Sequence, residues 1–315
     1  MQHTLITAQD IMTTGLVTVS PTEDVLDGID RLLRHGISGA PVIAASKEFL
    51  GTFSEKSSMA AFDVIDSERR RRCDKTFHHV RAGDFMTRDL MTVSPETDAV
   101  DAIGILLRNH VSGLPVVSKG EFVGSFSEHS AMKVIIDLTW NQISDGPVSA
   151  WMDRDRDRVI TENTPLEEVR ERFRDTVYRR LPVVNHGRLA GQISRRDVLR
   201  VQLDELIDSY GNNIGTMKLS ELSEPGQRMK WTIEHFMATG AKHISPDTPL
   251  MTIAQQFFSS SGRRLPVVEN GQLLGQVSRR DLLSSVRHFF ADEQPPVQQP
   301  LYLSSTSRNV TAVRS

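Results

Sequence analysis

Arg264-Leu265-Pro266-Val267-Val268 and Gly275-Gln276-Val277-Ser278-Arg279-Arg280-Asp281 are the two strings that decide the fold of this chain. The first is a short apolar run with a strand-starting proline. Glu269-Asn270-Gly271 between the strings predicts a hairpin turn, and the second string predicts a strand that leads into a helix at Ser278. Together they indicate a β-hairpin followed by a helix.

The same pair of strings occurs three more times. The nearest copy is Arg180-Leu181-Pro182-Val183-Val184 with Gly191-Gln192-Ile193-Ser194-Arg195-Arg196-Asp197, and looser copies begin at Gly39 and Gly113. Each copy is preceded by a Met-containing opening, a first strand and an amphipathic helix. One copy has too few elements to cover both faces of a sheet, so we expect the copies to pair and to share a core.

We therefore predict a mixed α/β (α+β) fold made of four βαββα repeats. The repeats are predicted at 7–66, 81–139, 147–203 and 232–290, with a polar linker at 204–231 and a disordered tail rich in Pro, Gln and Ser at 291–315. First strands are predicted at 16–19, 91–95, 158–161 and 243–246. The recurring Met12, Met86, Met152 and Met237 are expected to fill core gaps.

Composition excludes several classes of protein. The 315 residues carry a formal net charge of −3, which gives no general attraction to nucleic acid or to an anionic membrane. No apolar run approaches the roughly 20 residues that span a bilayer, and no secretory signal is visible at Met1. The single Cys73 cannot form an internal disulfide, and no metal-type spacing of Cys and His occurs. We expect a cytoplasmic protein without a metal or other cofactor.

The repeated motifs point to a known family. The opening Asp10-Ile11-Met12-Thr13, the Leu-Pro-Val-Val strands and the Gly-x-x-Ser-x-x-Asp elements at 191–197 and 275–281 carry the match. In these features the chain resembles the cystathionine-beta-synthase (CBS) domain family. The resemblance implies that repeats pair into Bateman modules, two here, with two clefts each. Such clefts bind adenosine-containing ligands, namely AMP, ADP, ATP or S-adenosylmethionine, and their occupancy controls a partner protein. It also implies a disc-like arrangement of two modules, within one chain or in a homodimer or other homo-oligomer.

The resemblance also implies a set of nucleotide-binding residues in the two C-terminal repeats. Ser and Asp of Ser-x-x-Asp would hold the ribose, because a carboxylate offers two acceptor oxygens to a vicinal diol. Guanidinium groups would bind phosphate, and a hydroxyl after each first strand would lie near the base or phosphate. The candidates are Thr161, Arg179, Arg180, Ser194, Arg196, Asp197, Ser245, Arg263, Arg264, Ser278, Arg280 and Asp281. Among the arginines we favour 180 and 264 from the strands and 196 and 280 from the helices.

A structural interpretation competes with ligand binding. Ser-x-x-Asp is also close to a capping box, in which Ser caps a helix and the acid reaches back to its amide. Ser54 and Ser127 stand at the same helix starts in the first half, but Ser57 and Ser130 replace the acid. The fold therefore does not require the carboxylate. The same replacement predicts that the N-terminal module is structural or partner-binding and that the C-terminal module senses the nucleotide.

The sequence thus predicts a non-enzymatic regulatory sensor of AMP, ADP or ATP that relays occupancy to an unknown regulated protein. No Ser-His-Asp order, paired catalytic carboxylates or phosphate-cradling Gly-rich loop favours an enzyme. The alternative is a ligand-free CBS scaffold or oligomerisation module. Single-stranded nucleic acid binding is a third hypothesis, against which the acidic charge balance argues.

Overall fold

The computed structural model describes residues 6–72, 80–139, 146–210, 232–260 and 262–285. Cys73, the predicted tail at 291–315 and residues 211–231 of the predicted linker lie outside these ranges.

The N-terminal half contains two repeats of the same order. Repeat 1 comprises α1 (Ala8–Ile11), α2 (Val25–Arg34), β1 (Gly39–Ile43), β2 (Phe49–Ser54) and α3 (Glu55–Arg72). Repeat 2 comprises α4 (Ala82–Phe85), α5 (Ala99–Arg108), β3 (Gly113–Ser118), β4 (Glu121–Ser127) and α6 (Glu128–Thr139).

The C-terminal half contains two more repeats, which open with 3-10 turns at Val148–Ala150 and Ile233–His235. Repeat 3 comprises a second 3-10 turn at Arg156–Arg158, then β5 (Ile160–Thr161), α7 (Leu166–Asp175), β6 (Arg180–Asn185), β7 (Arg188–Ser194) and α8 (Arg195–Tyr210). Repeat 4 comprises β8 (Ala238–Thr239), α9 (Leu250–Ser259), β9 (Arg264–Glu269), β10 (Gln272–Ser278) and α10 (Arg279–Ser285). The fold is the predicted mixture of helices and strands in four repeats.

The predicted first strands differ from the structure. The first strands are shorter than predicted: three of them are single parallel bridges, Val19 to Val42, Val93 to Val116 and Ile244 to Val267. A Ser-Pro turn follows each of these three at once, and proline has no N–H with which to continue a ladder. Helix α8 also continues to Tyr210, so residues 204–210 of the predicted linker are helical.

The hairpin of repeat 4 is built as the sequence predicts. Strands β9 and β10 pair antiparallel from Arg264–Ser278 to Glu269–Gln272. Asn270 and Gly271 form the two-residue turn with φ angles of 52° and 84°. Turns with positive φ at both central residues match the right-handed twist of the flanking strands, and Asn-Gly tolerates that geometry best.

The opening segment of each repeat pairs with a hairpin strand of the neighbouring repeat. Thr13 pairs with Ser125 of repeat 2, and Thr87 pairs with Thr52 of repeat 1. The C-terminal half does the same: Asp153 pairs with Gln276, and β8 pairs with β7. The repeats are therefore joined as pairs, 1 with 2 and 3 with 4, and we call these pairs the N-terminal and C-terminal modules.

The two modules pack against each other within one chain. Helix α3 of repeat 1 contacts α8 of repeat 3, and α6 of repeat 2 contacts α10 of repeat 4. One hydrophobic core accordingly runs through repeats 1 and 3 and a second through repeats 2 and 4. Met86 and Met152 are buried as predicted, whereas Met12 and Met237 are half-buried against these cores. None of the described helices combines the length and the continuous apolar character that crossing a bilayer demands.

Candidate functional site

The hairpin of repeat 3 presents two different faces. Leu181 and Ile193 are fully buried in the core that the helices cover. Because successive side chains of a strand point to opposite faces, their neighbours Arg180 and Ser194 lie on the other face. Gln192, two residues before Ser194, shares that face and is buried. The polar face therefore carries an exposed arginine, Arg180, and a buried amide, Gln192.

Repeat 4 reproduces this face. Arg264 lies opposite Ser278 in the β9–β10 register, and Gln276 lies opposite Pro266. Gln276 is buried and Arg264 is half-buried. The same four kinds of group thus recur in both C-terminal repeats, and we call each set a crevice, defined by Arg180, Gln192, Ser194 and Asp197 in repeat 3 and by Arg264, Gln276, Ser278 and Asp281 in repeat 4.

The two aspartates form capping boxes. Oδ2 of Asp197 accepts hydrogen bonds from the backbone N–H of Ser194 at 2.8 Å and from its hydroxyl at 2.6 Å. Oδ2 of Asp281 accepts the same pair from Ser278, both at 2.7 Å. The capping interpretation is therefore correct in geometry. Within the described chain only Oδ2 of each carboxylate takes part, so the second oxygen of each carboxylate is available to another donor.

An arginine accompanies each aspartate. Desolvation by the surrounding protein lowers the pKa of Arg180, and the nearby Asp197 carboxylate acts in the opposite direction. Desolvation likewise lowers the pKa of Arg264, which lies near Asp281 and donates to Asp153 at 3.2 Å. A cation and an anion held side by side can bind a phosphate and a sugar hydroxyl of one ligand. The structure therefore brings the predicted strand arginines and aspartates together.

The N-terminal module lacks this combination. Ser57 hydrogen-bonds Ser54 at 3.2 Å, and Ser130 contacts Ser127 in the same way, so a hydroxyl replaces each carboxylate. Gly39 stands in the β1–β2 register where Arg180 stands in repeat 3. The asymmetry between the halves that the sequence predicted is present in the structure.

The two helical arginines contact the N-terminal module. Arg196 pairs with Glu55 at 3.4 Å. Arg280 pairs with Glu128 at 3.3 Å and donates to the carbonyl oxygen of Val111 at 2.8 Å. These contacts join the modules, and a role of Arg196 and Arg280 in phosphate binding stays a prediction.

Arg179 and Arg263, which precede the β6 and β9 strands, are exposed. Desolvation lowers the pKa of Arg179, and the positive charge of Arg263 lowers it further. Arg179 also donates to the hydroxyl of Ser112 in the N-terminal module at 2.7 Å. Arg179 and Arg263 are therefore neighbouring cations, and Arg179 lies where the modules meet.

Two predicted hydroxyl groups make only local contacts. Thr161 Oγ1 lies 3.2 Å from Thr164 Oγ1. Ser245 Oγ accepts from the backbone N–H of Asp247 at 3.4 Å. Both Thr161 and Ser245 are exposed, and their contact with a nucleotide stays a prediction.

Sequence reasoning missed Arg195 and Arg279. Both are 5% exposed. Arg195 donates to the carbonyl oxygen of Thr176 at 2.8 Å, and Arg279 donates to that of Ser260 at 2.7 Å, at the end of the preceding helix in each case. Desolvation lowers the pKa of each to about 10, so both stay charged at neutral pH. Their contacts tie the start of one helix to the end of the preceding helix.

The family follows from the sequence profile of the CBS domain, which matches residues 8–57, 82–137, 148–204 and 233–288. The chain belongs to the CBS-domain family. The four matched segments coincide with the four repeats of the structure, so the paired repeats are two Bateman modules.

A protein of Methanocaldococcus jannaschii is similar to this chain in both sequence and fold. Protein MJ1225 of Methanocaldococcus jannaschii is 28% identical over 204 residues, which are 61% of this chain and 68% of that protein. Its crystal structure, described as that of a proposed archaeal homologue of γ-AMPK, superposes with a TM-score of 0.75 at 19% identity over 91% of this chain and 100% of that one. This likeness shows the shared CBS fold.

In two eukaryotic relatives, the matched region is a smaller share of the relative's own length. The CBS domain-containing protein CBSX1 of Arabidopsis thaliana is 30% identical over 149 residues, 38% of this chain and 63% of that protein. The human 5'-AMP-activated protein kinase subunit gamma-3 is 26% identical over 212 residues, 63% of this chain and 43% of that protein. The chain thus spans less than two thirds of either relative.

Proposed function

We propose that this protein is a non-enzymatic regulatory sensor that binds an adenine nucleotide in the C-terminal module and relays occupancy to a partner protein. The observation that carries the proposal is the placement of Arg180 and Arg264, each opposite a serine in the hairpin register. That serine is hydrogen-bonded to Asp197 or Asp281 at the start of the following helix. The relatives support the ligand class, because the kinase γ subunit that this chain is similar to belongs to an AMP-activated enzyme.

In each crevice, different residues would bind different parts of one nucleotide. The available carboxylate oxygen of Asp197 or Asp281 would accept from the ribose hydroxyls. Arg180, which donates to Gln192, or Arg264, which donates to Asp153, would turn to pair with the phosphate. An arginine-lined crevice favours an anionic nucleotide over S-adenosylmethionine, whose sulfonium carries a positive charge.

The same elements offer a route by which occupancy reaches the N-terminal module. Asp197 lies in the first turn of α8, and α8 packs against α3 of the N-terminal module. Arg196, its immediate neighbour, holds Glu55, and Arg179 holds Ser112. A nucleotide phosphate that attracts Arg179 would compete for that contact and thereby change the junction between modules. The regulated partner would then read the altered junction.

Isothermal titration of the full chain with AMP, ADP and ATP tests the proposal. The variants Asp197→Ser and Asp281→Ser install the residue that repeats 1 and 2 carry at the same position, so the helix start keeps a native arrangement. Loss of a hydrogen bond to a charged group lowers affinity about 10- to 100-fold at the altered crevice.

The matched control is Asp89→Ser, an exposed aspartate of the N-terminal module. If the Asp197→Ser/Asp281→Ser double variant binds the nucleotide as tightly as the wild type, the two aspartates do not bind the ribose. Absence of binding in the wild type would instead favour the ligand-free scaffold. Affinity purification of partners with and without the nucleotide that binds would then identify what is regulated.

A further inference from the structure

Two buried glutamines lie on the floors of the crevices. Gln192 and Gln276 are 6% and 3% exposed, and each follows the glycine of the repeated Gly-Gln-Ile/Val-Ser string. The corresponding residues of the N-terminal module in the hairpin register are Thr52 and Ser125. The hairpin therefore forms without an amide at this position, and the amide is specific to the module that carries the aspartates.

Neither amide is fully satisfied within the described residues. Oε1 of Gln192 accepts from Arg180 at 3.1 Å, but its Nε2 is buried without a partner. Oε1 of Gln276 is also buried without a partner. A buried polar group that lacks a hydrogen bond costs about 1–3 kcal/mol. Native structures seldom retain such a cost on both of two equivalent side chains unless something else supplies the bond.

The backbone of each glutamine pairs with the opening segment of the neighbouring repeat. The N–H of Gln276 donates to the carbonyl oxygen of Asp153 at 2.9 Å, and the N–H of Asp153 donates back to Gln276 at 2.7 Å. Gln192 pairs with Ala238 in the equivalent ladder. The main chain therefore holds the opening segment of the neighbouring repeat, while the amide projects onto the polar face.

The spacing places each amide where the base of a bound nucleotide would lie. Gln192 precedes Ser194 by two residues on the same face, which is about 7 Å along a strand. With the ribose at Ser194 and Asp197, the base extends toward the buried end of the crevice. An amide offers a donor and an acceptor side by side, which matches the N6 and N7 edge of adenine. Guanine presents two acceptors, O6 and N7, along that edge, and an amide can satisfy only one of them.

We propose that Gln192 and Gln276 read the base of the bound nucleotide and select adenine over guanine. The proposal rests on the nucleotide-sensing function proposed above and adds to it the origin of base specificity. Rotation of either amide by a half turn exchanges its donor and acceptor, so both crevices can present the same pattern to the base.

Titration of the full chain with AMP and with GMP tests the inference. The wild type should bind AMP about 10- to 100-fold more tightly than GMP, as expected for one good bidentate contact to a base. The double variant Gln192→Leu/Gln276→Leu, similar in size but without the amide, should lose most of that ratio. The loss should come from weaker AMP binding, with GMP binding little changed.

Gln202 provides the matched control. It lies in α8, is buried and has an unpartnered Oε1, but it is outside the crevices. Gln202→Leu should leave the AMP to GMP ratio unchanged. Gln276→Leu alone, which breaks no hydrogen bond of the described chain, should lower AMP affinity at one of two sites even if the double variant does not fold.

The outcomes separate this inference from the function on which it rests. Equal binding of AMP and GMP by the wild type overturns the base-reading role but leaves a nucleotide sensor. The inference is also overturned if Gln276→Leu leaves the AMP to GMP affinity ratio unchanged at each of the two sites. Failure of the wild type to bind either nucleotide overturns both proposals.

Discussion

The junction between the modules depends on two buried carboxylates, and their removal has a calculable effect. Glu128 is 9% exposed and lies 3.3 Å from Nη2 of Arg280. At that distance two unit charges attract with about 5 kcal/mol at an effective dielectric of about 20. In Glu128→Gln the burial cost of the carboxylate disappears and the amide oxygen can still accept from Arg280. The net destabilisation is therefore about 2 kcal/mol.

Thermal unfolding followed by fluorescence measures this effect. A loss of 2 kcal/mol lowers the Tm by about 4 to 8 °C in chains of a few hundred residues. The shift should persist in about 1 M salt, because buried pairs are screened far less than exposed ones. Exposed Glu96→Gln is the control and should leave the Tm unchanged.

A double-mutant cycle with Arg280→Gln identifies the cause. If the ion pair is responsible, the double variant is less destabilised than the sum of the two single variants by more than about 0.5 kcal/mol. A Glu128→Gln protein that melts with the wild type, or strict additivity in the cycle, would refute the claim that this pair holds the modules together. Glu55, 6% exposed and paired with Arg196, should behave like Glu128.

Three further predictions concern pH, backbone contact and charge. Desolvation and the nearby Arg279 hold the pKa of His129 below the ordinary histidine value of about 6.5, so the unfolded chain binds this proton more readily. Stability should therefore fall as the pH drops through about 6.5, and His129→Gln should flatten denaturation midpoints measured between pH 7 and 5. A methyl group on Gly275 would lie 2.7 Å from the Asp153 carbonyl oxygen, so Gly275→Ala should cost about 1–3 kcal/mol in urea unfolding. Gly113→Ala, whose nearest neighbour would be 3.6 Å away, should be near neutral. Arg179→Gln removes a cation from beside Arg263 and should weaken the binding of ATP more than that of AMP; an unchanged ATP affinity would place the phosphates elsewhere.

Much of the fold was predictable because its signals are local. The turn at Asn270-Gly271, the apolar stripe of α5 and the serine at each helix start depend on neighbouring residues in the chain. Four copies of one pattern strengthened each assignment. The first strands were overestimated because a parallel bridge depends on a strand elsewhere in the repeat, such as Val42 for Val19.

The site was predictable in part. Strand register places Arg180 opposite Ser194 and Arg264 opposite Ser278, and the Ser-x-x-Asp spacing brings each aspartate to its serine at the helix start. The ion pairs of Arg196 and Arg280 could not be foreseen, because their partners belong to the other module. Gln192 and Gln276 carried a weak signal, their repetition in the two C-terminal copies, but only burial shows that their amides lack partners.

Periodicity, caps and turns act over a few residues, so the sequence encodes the repeat, its elements and the difference in charge between the halves. Which arginines pair with the N-terminal module emerges only from the folded chain. That choice depends on contacts between segments more than a hundred residues apart, such as Arg280 with Glu128, and no local pattern in the chain encodes them.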